Sequence, residues 1–582
     1  MMKTQITQKR HLLLGLLTVA FCITGSAFSA PPHPDLIERR QSEIALSLPL
    51  TPLPSNAEMH QQGICTPDDD FFVRYINGKQ ESRGANLSAA AAGFRILAIL
   101  VQYSDKNSLV PSTSFDSLLF SSTGNTVRDY FDEISYGQID LITVNNPSSL
   151  GWRTAPQTYA YYVNGQNATG SYPQNSQKMV EDLVDQVDPL VNFGDYDNDG
   201  DGFVDCLLII HTGTGAEFSG NANDIWSHKW SITPRLKDGV RIRSFTVQPE
   251  YWNVPGDMTI GVYSHELCHG FGLPDLYDID NSSYGIGKWC VMAVGSWNGP
   301  TGLGSSPSHP CAWSRAKMGI ATPVNVTANL VSQSIANVGT GGTIYRMWTS
   351  GLLANEYFLV ENRQQTGYDT HIPSSGLLIW HIDDSKTDNS QEWYPGQPVA
   401  NHFAVALEQA DGLFQLEQKT SYGNTADPFP GSDNKLNFNG TTTPNSNGYL
   451  SGATFVGVNN ISSSGPTITA DLIVGLASGI DDDQSLSGLP EKYELSQNYP
   501  NPFNPSTTIQ FSISNPGQVS LVVYNTLGQE VATIFDGPAP SGITTTTWEA
   551  QDGKGSALAS GVYFYKLVID ETEVVKKMVL LR

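Results

Sequence analysis

The sequence predicts a multidomain chain: an α/β (α+β) domain built around a histidine-bearing helix, an all-β sandwich region after it, and a C-terminal immunoglobulin-like β-sandwich. Three observations predict this. The chain has 582 residues, 39% of them hydrophobic and 10% aromatic, which is globular composition at more than one core's length. Apolar strand-like runs and helical periods alternate up to a segment with two histidines four residues apart, His265 and His269. Beyond about residue 325 the pattern changes to short alternating segments parted by turn residues.

The opening reads as an export address. Lys3, Lys9 and Arg10 form a basic start, and Leu12 to Ile23 is apolar but short for a bilayer span. Ala27-Phe28-Ser29 before Ala30 suits a small-residue cleavage site. We expect a signal peptide over 1–29. No later stretch is apolar enough to span a bilayer, so the mature chain is expected to be exported without a transmembrane anchor. Residues 30–90 are rich in Pro, Gln and Ser and lack core periodicity, which suggests a propeptide.

The domain over 91–324 opens with Phe94 to Val101, an apolar run suited to a strand covered on both faces. Thr126 to Glu133 reads as a helix ended near Gly137, and residues 176–190 as a second helix. Between them and a strand over Val204 to His211 lies Asp195-Tyr196-Asp197-Asn198-Asp199-Gly200-Asp201-Gly202-Phe203-Val204-Asp205. Alternate carboxylates at Asp195, Asp197, Asp199, Asp201 and Asp205 can surround a hard cation, and glycines allow the turn, so calcium is expected. The glutamate that closes an EF-hand is absent, and a solvated acidic turn is the plainer alternative. His228 stands alone and reads as structural. Pro310 to Gly319 reads as a closing helix.

The chemistry centres on His265-Glu266-Leu267-Cys268-His269, followed by Gly272, Pro274 and Asp275. Residues i and i+4 share a helix face, so both imidazoles can reach one ion with Glu266 beside it. Catalytic zinc takes three protein ligands and keeps one position for water. Gly272 suits a left-handed helix end, after which Asp275 can return as third ligand. Asp278 competes for that place; the spacing favours Asp275. Met292 follows in Lys288-Trp289-Cys290-Val291-Met292-Ala293.

The run from His265 through Gly295-Ser296-Trp297-Asn298-Gly299, with the earlier Asp129-Tyr130-Phe131 and Ser135-Tyr136-Gly137-Gln138, resembles the immune inhibitor A family of secreted bacterial metallopeptidases. The resemblance implies a metzincin-like zinc peptidase domain, with Asp275 as third ligand, Glu266 as general base and Met292 in a structural methionine turn below the metal. It also brings Cys268 and Cys290 close enough to suggest a bridge. Cys65-Thr66-Pro67-Asp68 resembles, one residue short, the cysteine-switch motif of matrix metallopeptidases; a linker cysteine is the plainer alternative. Of six cysteines Cys22 leaves with the signal, and the odd remainder implies at least one free thiol.

The second region, 325–475, includes strands at Glu356 to Arg363 and Gly376 to Asp383. Its polar residues His381, Asp383, Glu408, Asp411 and Asp427 suit surface chemistry better than a second metal. A linker over 476–490 carries Asp481-Asp482-Asp483. The unit over 491–582 begins Gln497-Asn498-Tyr499-Pro500-Asn501-Pro502-Phe503-Asn504-Pro505 and continues in short strands through Leu527-Gly528-Gln529 and Gly561-Val562-Tyr563. It resembles the C-terminal sorting domain of type IX secretion cargo, which implies contact with secretion machinery and a secreted or outer-surface location.

The balance of 32 basic against 57 acidic residues, net −25, argues against nucleic acid as a partner. Protein or peptide substrates, Zn²⁺ and Ca²⁺ are the expected partners of a secreted zinc endopeptidase. The competing expectation is a cell-surface binding protein with a structural zinc. Glu266 favours the enzyme, because a structural site needs no base beside its ligands.

Overall fold

The computed structural model describes residues 30–45, 62–65, 93–449, 451–475, 493–498, 501–513, 517–539, 542–553, 555–569 and 572–581. The expected signal peptide, most of the expected propeptide (including Thr66, Pro67 and Asp68) and the expected linker lie outside the described residues.

A five-stranded sheet carries the first domain. Its order is Arg153–Thr154, Leu97–Gln102, Leu207–His211, Val240–Pro249, His228–Lys237. The first four are parallel, and the last pairs antiparallel at the edge. Successive strand side chains alternate between faces. Ala98, Leu100, Leu208 and Ile210 enter one core with Leu267, Cys268 and Phe271. Leu97, Ile99, Val101, Leu207 and Ile209 enter another with Met179, Leu183 and Val187. The apolar run is continuous because both faces are covered, each fully buried side chain contributing about 1.5–3 kcal/mol.

The flanking helices follow their signals. Val127–Ile134 starts at Thr126, whose Oγ1 accepts from Asp129 N, and unwinds at Tyr136 and Gly137, both left-handed. Its Phe131 ring meets Phe271 edge to face at 5.2 Å, tying it to the histidine helix. Ser176–Val187 starts at Asn175 and tightens into a 3₁₀ turn over Asp188–Leu190.

Two further sheets follow. One orders Val405–Leu407, Gly376–Asp383, Glu356–Arg363, Tyr345–Met347 and Val324–Asn325; the other orders Gly457–Asn459, Thr467–Ile473 and Leu330–Ala336. These sheets, within the expected 325–475 region, do not keep a core to themselves. Phe358, Val360, Leu377 and Trp380 share one core with Trp289, Cys290 and Met292. The fully buried Arg363 explains the joining. Its guanidinium grips Asp369 at 2.7 and 2.5 Å and reaches the carbonyls of Trp289 and His309. A buried cation requires such partners, and the first domain supplies some of them.

The C-terminal unit has its own core, including Phe511, Leu521, Tyr565 and Met578. An antiparallel three-stranded sheet and an antiparallel four-stranded sheet enclose it, the latter ending in Thr572–Leu580. No helix among the described residues is long and apolar enough to cross a membrane.

Candidate metal centre

The helix Gly261–Gly270 is buried along its whole length. It needs glycine at its start: a Cβ on Gly261 would stand 1.9 Å from the carbonyl oxygen of Ser296. It ends where Gly272 turns left-handed at φ +89°, and Leu273 N donates to Cys268 O at 3.0 Å. The chain then doubles back, as the spacing predicts, and Asp275 meets the two histidines.

His265, His269 and Asp275 bring their ligand atoms within 4.8 Å of one another, all buried. Asp275 Oδ1 stands 3.2 Å from Nε2 of both imidazoles. Yet neither Nε2 nor either carboxylate oxygen has a hydrogen-bonding partner, and the same holds for both oxygens of the buried Glu266. Such a concentration of orphaned polar atoms is costly unless an ion satisfies it. The Nδ1 atoms settle the tautomer. His265 Nδ1 lies 2.9 Å from Val291 O, and His269 Nδ1 lies 2.8 Å from Leu273 O. A carbonyl only accepts, so each Nδ1 carries the hydrogen and each Nε2 presents its lone pair to the common point. Two nitrogens and a carboxylate fit zinc.

Electrostatics agree. Burial opposes the charge on Asp275, but His269 and His265 reverse this and hold it at about 2. Burial likewise opposes a charged His265, and Asp275 raises it to about 9. Asp275 thus demands positive charge beside it. Burial pushes Glu266 well above the usual carboxylate range; His265 counters this and Asp275 adds to it.

Asp278 does not join the cluster. Its carboxylate accepts from Ser283 N at 2.7 Å, Ser282 Oγ at 2.9 Å and Asp280 N at 3.0 Å, closing the following turn. Met292 is fully buried, and its carbonyl accepts from Leu276 N at 2.8 Å, so its turn braces the residue after Asp275.

The acidic loop gathers less than expected. Asp197, Asp199 and Asp201 converge, but Asp195 and Asp205 are not in the group. Asp205 Oδ2 is taken by Asn198, from its backbone N at 2.6 Å and its Nδ2 at 2.7 Å. His381, Asp383, Glu408, Asp411 and Asp427 do not converge either. His381 bridges Glu408 and Glu356, and Asp383 pairs with His402. His228 binds Ser176 Oγ at 2.8 Å and Trp226 O at 2.7 Å, a structural role as expected. No Cys268–Cys290 bridge forms. None of the five described cysteines is in a disulfide, and the Cys290 sulfur instead accepts from Cys311 N at 3.3 Å and Met292 N at 3.4 Å.

Two residues lie at the site that were not among its expected members. Tyr277 lies against it: burial, then Asp275, Cys65 and Glu266, push its phenol well above its ordinary range. Cys65 is the other. Its sulfur, a Glu266 oxygen and a His269 nitrogen lie within 4.8 Å of one another. The Cys-Thr-Pro-Asp resemblance pointed to it, against the plainer expectation of a linker cysteine.

Comparison with known proteins places the histidine helix within a matched domain. Residues 109–320 match the immune inhibitor A peptidase M6 catalytic domain, and residues 497–581 match the secretion system C-terminal sorting domain. The pre-pro-metalloprotease PrtV of Vibrio cholerae serotype O1 is 29% identical over 238 residues, covering 34% of this chain and 25% of that protein. Immune inhibitor A of Bacillus thuringiensis subsp. alesti is 32% identical over 216 residues, covering 31% and 30%. The matches therefore span about a quarter to a third of those relatives' length. Among solved structures, OgpA from Akkermansia muciniphila aligns at 10% identity over 84% of this chain and 92% of that one, with a TM-score of 0.24, too loose to bear on function. The chain carries a peptidase M6 domain of immune inhibitor A type and a sorting domain that marks it for secretion or the cell surface.

Proposed function

We propose that this chain is a secreted zinc-dependent endopeptidase that hydrolyses peptide bonds of proteins. The observation that carries the reading is the buried trio His265, His269 and Asp275, with orphaned atoms facing one point and Glu266 beside it. In this reading the trio holds Zn²⁺, which when bound polarises the scissile carbonyl and lowers the pKa of a water to about 7. Glu266 takes the proton from the attacking water and returns it to the leaving amine. The carbonyls of Val291 and Leu273 keep both imidazoles in the ligating tautomer. Met292 forms the methionine turn beneath the ligands. Residues 30–90 act as propeptide, and Asp197, Asp199 and Asp201 take calcium to stiffen the domain away from the chemistry.

The names of the relatives, a metalloprotease and an immune inhibitor A, support the reaction class. The competing reading, a surface binding protein with structural zinc, leaves the buried Glu266 without a task. The test is hydrolysis of casein by the processed chain as purified, after zinc removal, and after zinc is restored. Activity that disappears and returns with zinc supports the reading. Bound zinc with no hydrolysis of casein or of a peptide library overturns it in favour of the binding protein. Calcium is tested separately, by whether it raises the melting temperature of wild type and not of Asp199→Asn.

A further inference from the structure

We propose that in the full-length chain the sulfur of Cys65 is the fourth ligand of the metal held by His265, His269 and Asp275, so that the upstream segment carrying it keeps the domain latent by taking the place of the attacking water. The proposal rests on the zinc reading above.

Cys65 comes from a segment far upstream, yet its sulfur is grouped with Glu266 and His269, and the residue is 1% exposed. His269 belongs both to this group and to the trio with His265 and Asp275, and the Nε2 of His269 and both oxygens of Glu266 are without hydrogen-bonding partners. Zinc accepts thiolate, imidazole and carboxylate alike, and a fourth protein ligand closes the tetrahedron as in a structural site. Coordination deprotonates the thiol, so the sulfur binds as thiolate. With no position left for water, Glu266 has no proton to accept.

The segment is built to hold that sulfur in place. Cys65 N donates to Lys229 O at 2.8 Å, and Trp230 Nε1 donates to Gln62 O at 2.9 Å. Ile64 is fully buried in the core beneath. A second anchor lies at residues 30–39. Ala30 N donates to Ser227 O at 3.1 Å, Trp297 Nε1 to Pro31 O at 2.8 Å, and Arg39 Nη2 to Ser219 O at 3.2 Å. Ser227 immediately precedes, and Lys229 lies in, the edge strand His228–Lys237, which pairs on one side with Val240–Pro249. A sheet edge is where an extended peptide adds its main chain. The segment therefore occupies both the metal's fourth position and the edge that an incoming peptide would use.

The experiment is zinc K-edge X-ray absorption on the full-length chain loaded with zinc, after measuring zinc content. We expect one sulfur at about 2.3 Å beside nitrogen and oxygen at about 2.0–2.1 Å. Cys65→Ser should retain zinc and lose the sulfur, and Cys268→Ser should keep it. In the wild type, Cys65 should resist iodoacetamide until zinc is chelated. The spectrum and the labelling of wild type need no variant, so the test stands if Cys65→Ser fails to fold. Stoichiometric zinc with only nitrogen and oxygen neighbours overturns the latch and leaves the peptidase reading intact. A chain that takes up no zinc overturns the metal reading, and the latch with it.

Discussion

Replacing Glu266 with glutamine isolates the proton-transfer step. The side chain is fully buried and neither oxygen has a hydrogen-bonding partner. Glutamine has nearly the same volume, so the exchange opens no cavity and breaks no hydrogen bond. The three proposed ligands belong to other residues, so zinc content should stay at the wild-type level. What disappears is the basic lone pair. Removing a positioned general base costs about 10²–10⁴-fold. At 1.36 kcal/mol per tenfold, this is about 2.7–5.4 kcal/mol of barrier. The assay is kcat/KM on an internally quenched peptide, using chain freed of its N-terminal segment, with zinc analysis and a melting curve on the same preparations. We expect activity to fall at least about a hundredfold at unchanged zinc content, with the melting temperature within a few degrees. Activity within about fivefold of wild type, on a protein that folds and binds zinc normally, would refute the role of Glu266.

Three further outcomes follow from the geometry. Asp275→Ala should weaken zinc binding by more than about 100-fold, beyond the usual cost of an outer-shell change, while Asp278→Ala should leave it unchanged; competition with a chromogenic chelator reads both. Asp369 is held at about 2 against an ordinary 3.8, because Arg363 and His309 outweigh its burial. That difference is worth about 2 kcal/mol of stability, present in full above pH ~4 and lost as the pH falls towards ~2. Asp369→Asn should flatten that acid limb of denaturant midpoint against pH, and should cost about 3–5 kcal/mol at neutral pH by leaving Arg363 underpaired. Met292→Ala should cost about 2–5 kcal/mol through the cavity it leaves, with zinc still bound, as followed by denaturant unfolding and metal analysis.

The sequence by itself determined what depends on neighbours within a few turns. Helical spacing puts His265 and His269 on one face. Gly272 allows the left-handed exit, and the following residues return Asp275 to them. The continuous apolar run from Phe94 to Val101 already implied a strand covered on both faces. Only the tertiary structure decided between Asp275 and Asp278, because the choice lies in which carboxylate is used up by the turn of Ser282 and Ser283. It also named Val291 O as a tautomer-fixing partner, joined two expected domains through the buried Arg363, drew Asp205 away from the acidic trio and brought Cys65 to the metal cluster. The division has a physical cause. Backbone geometry repeats over a few residues and is written locally, whereas the partner of a buried charge, thiol or ring nitrogen is fixed by which distant segments close over the same core.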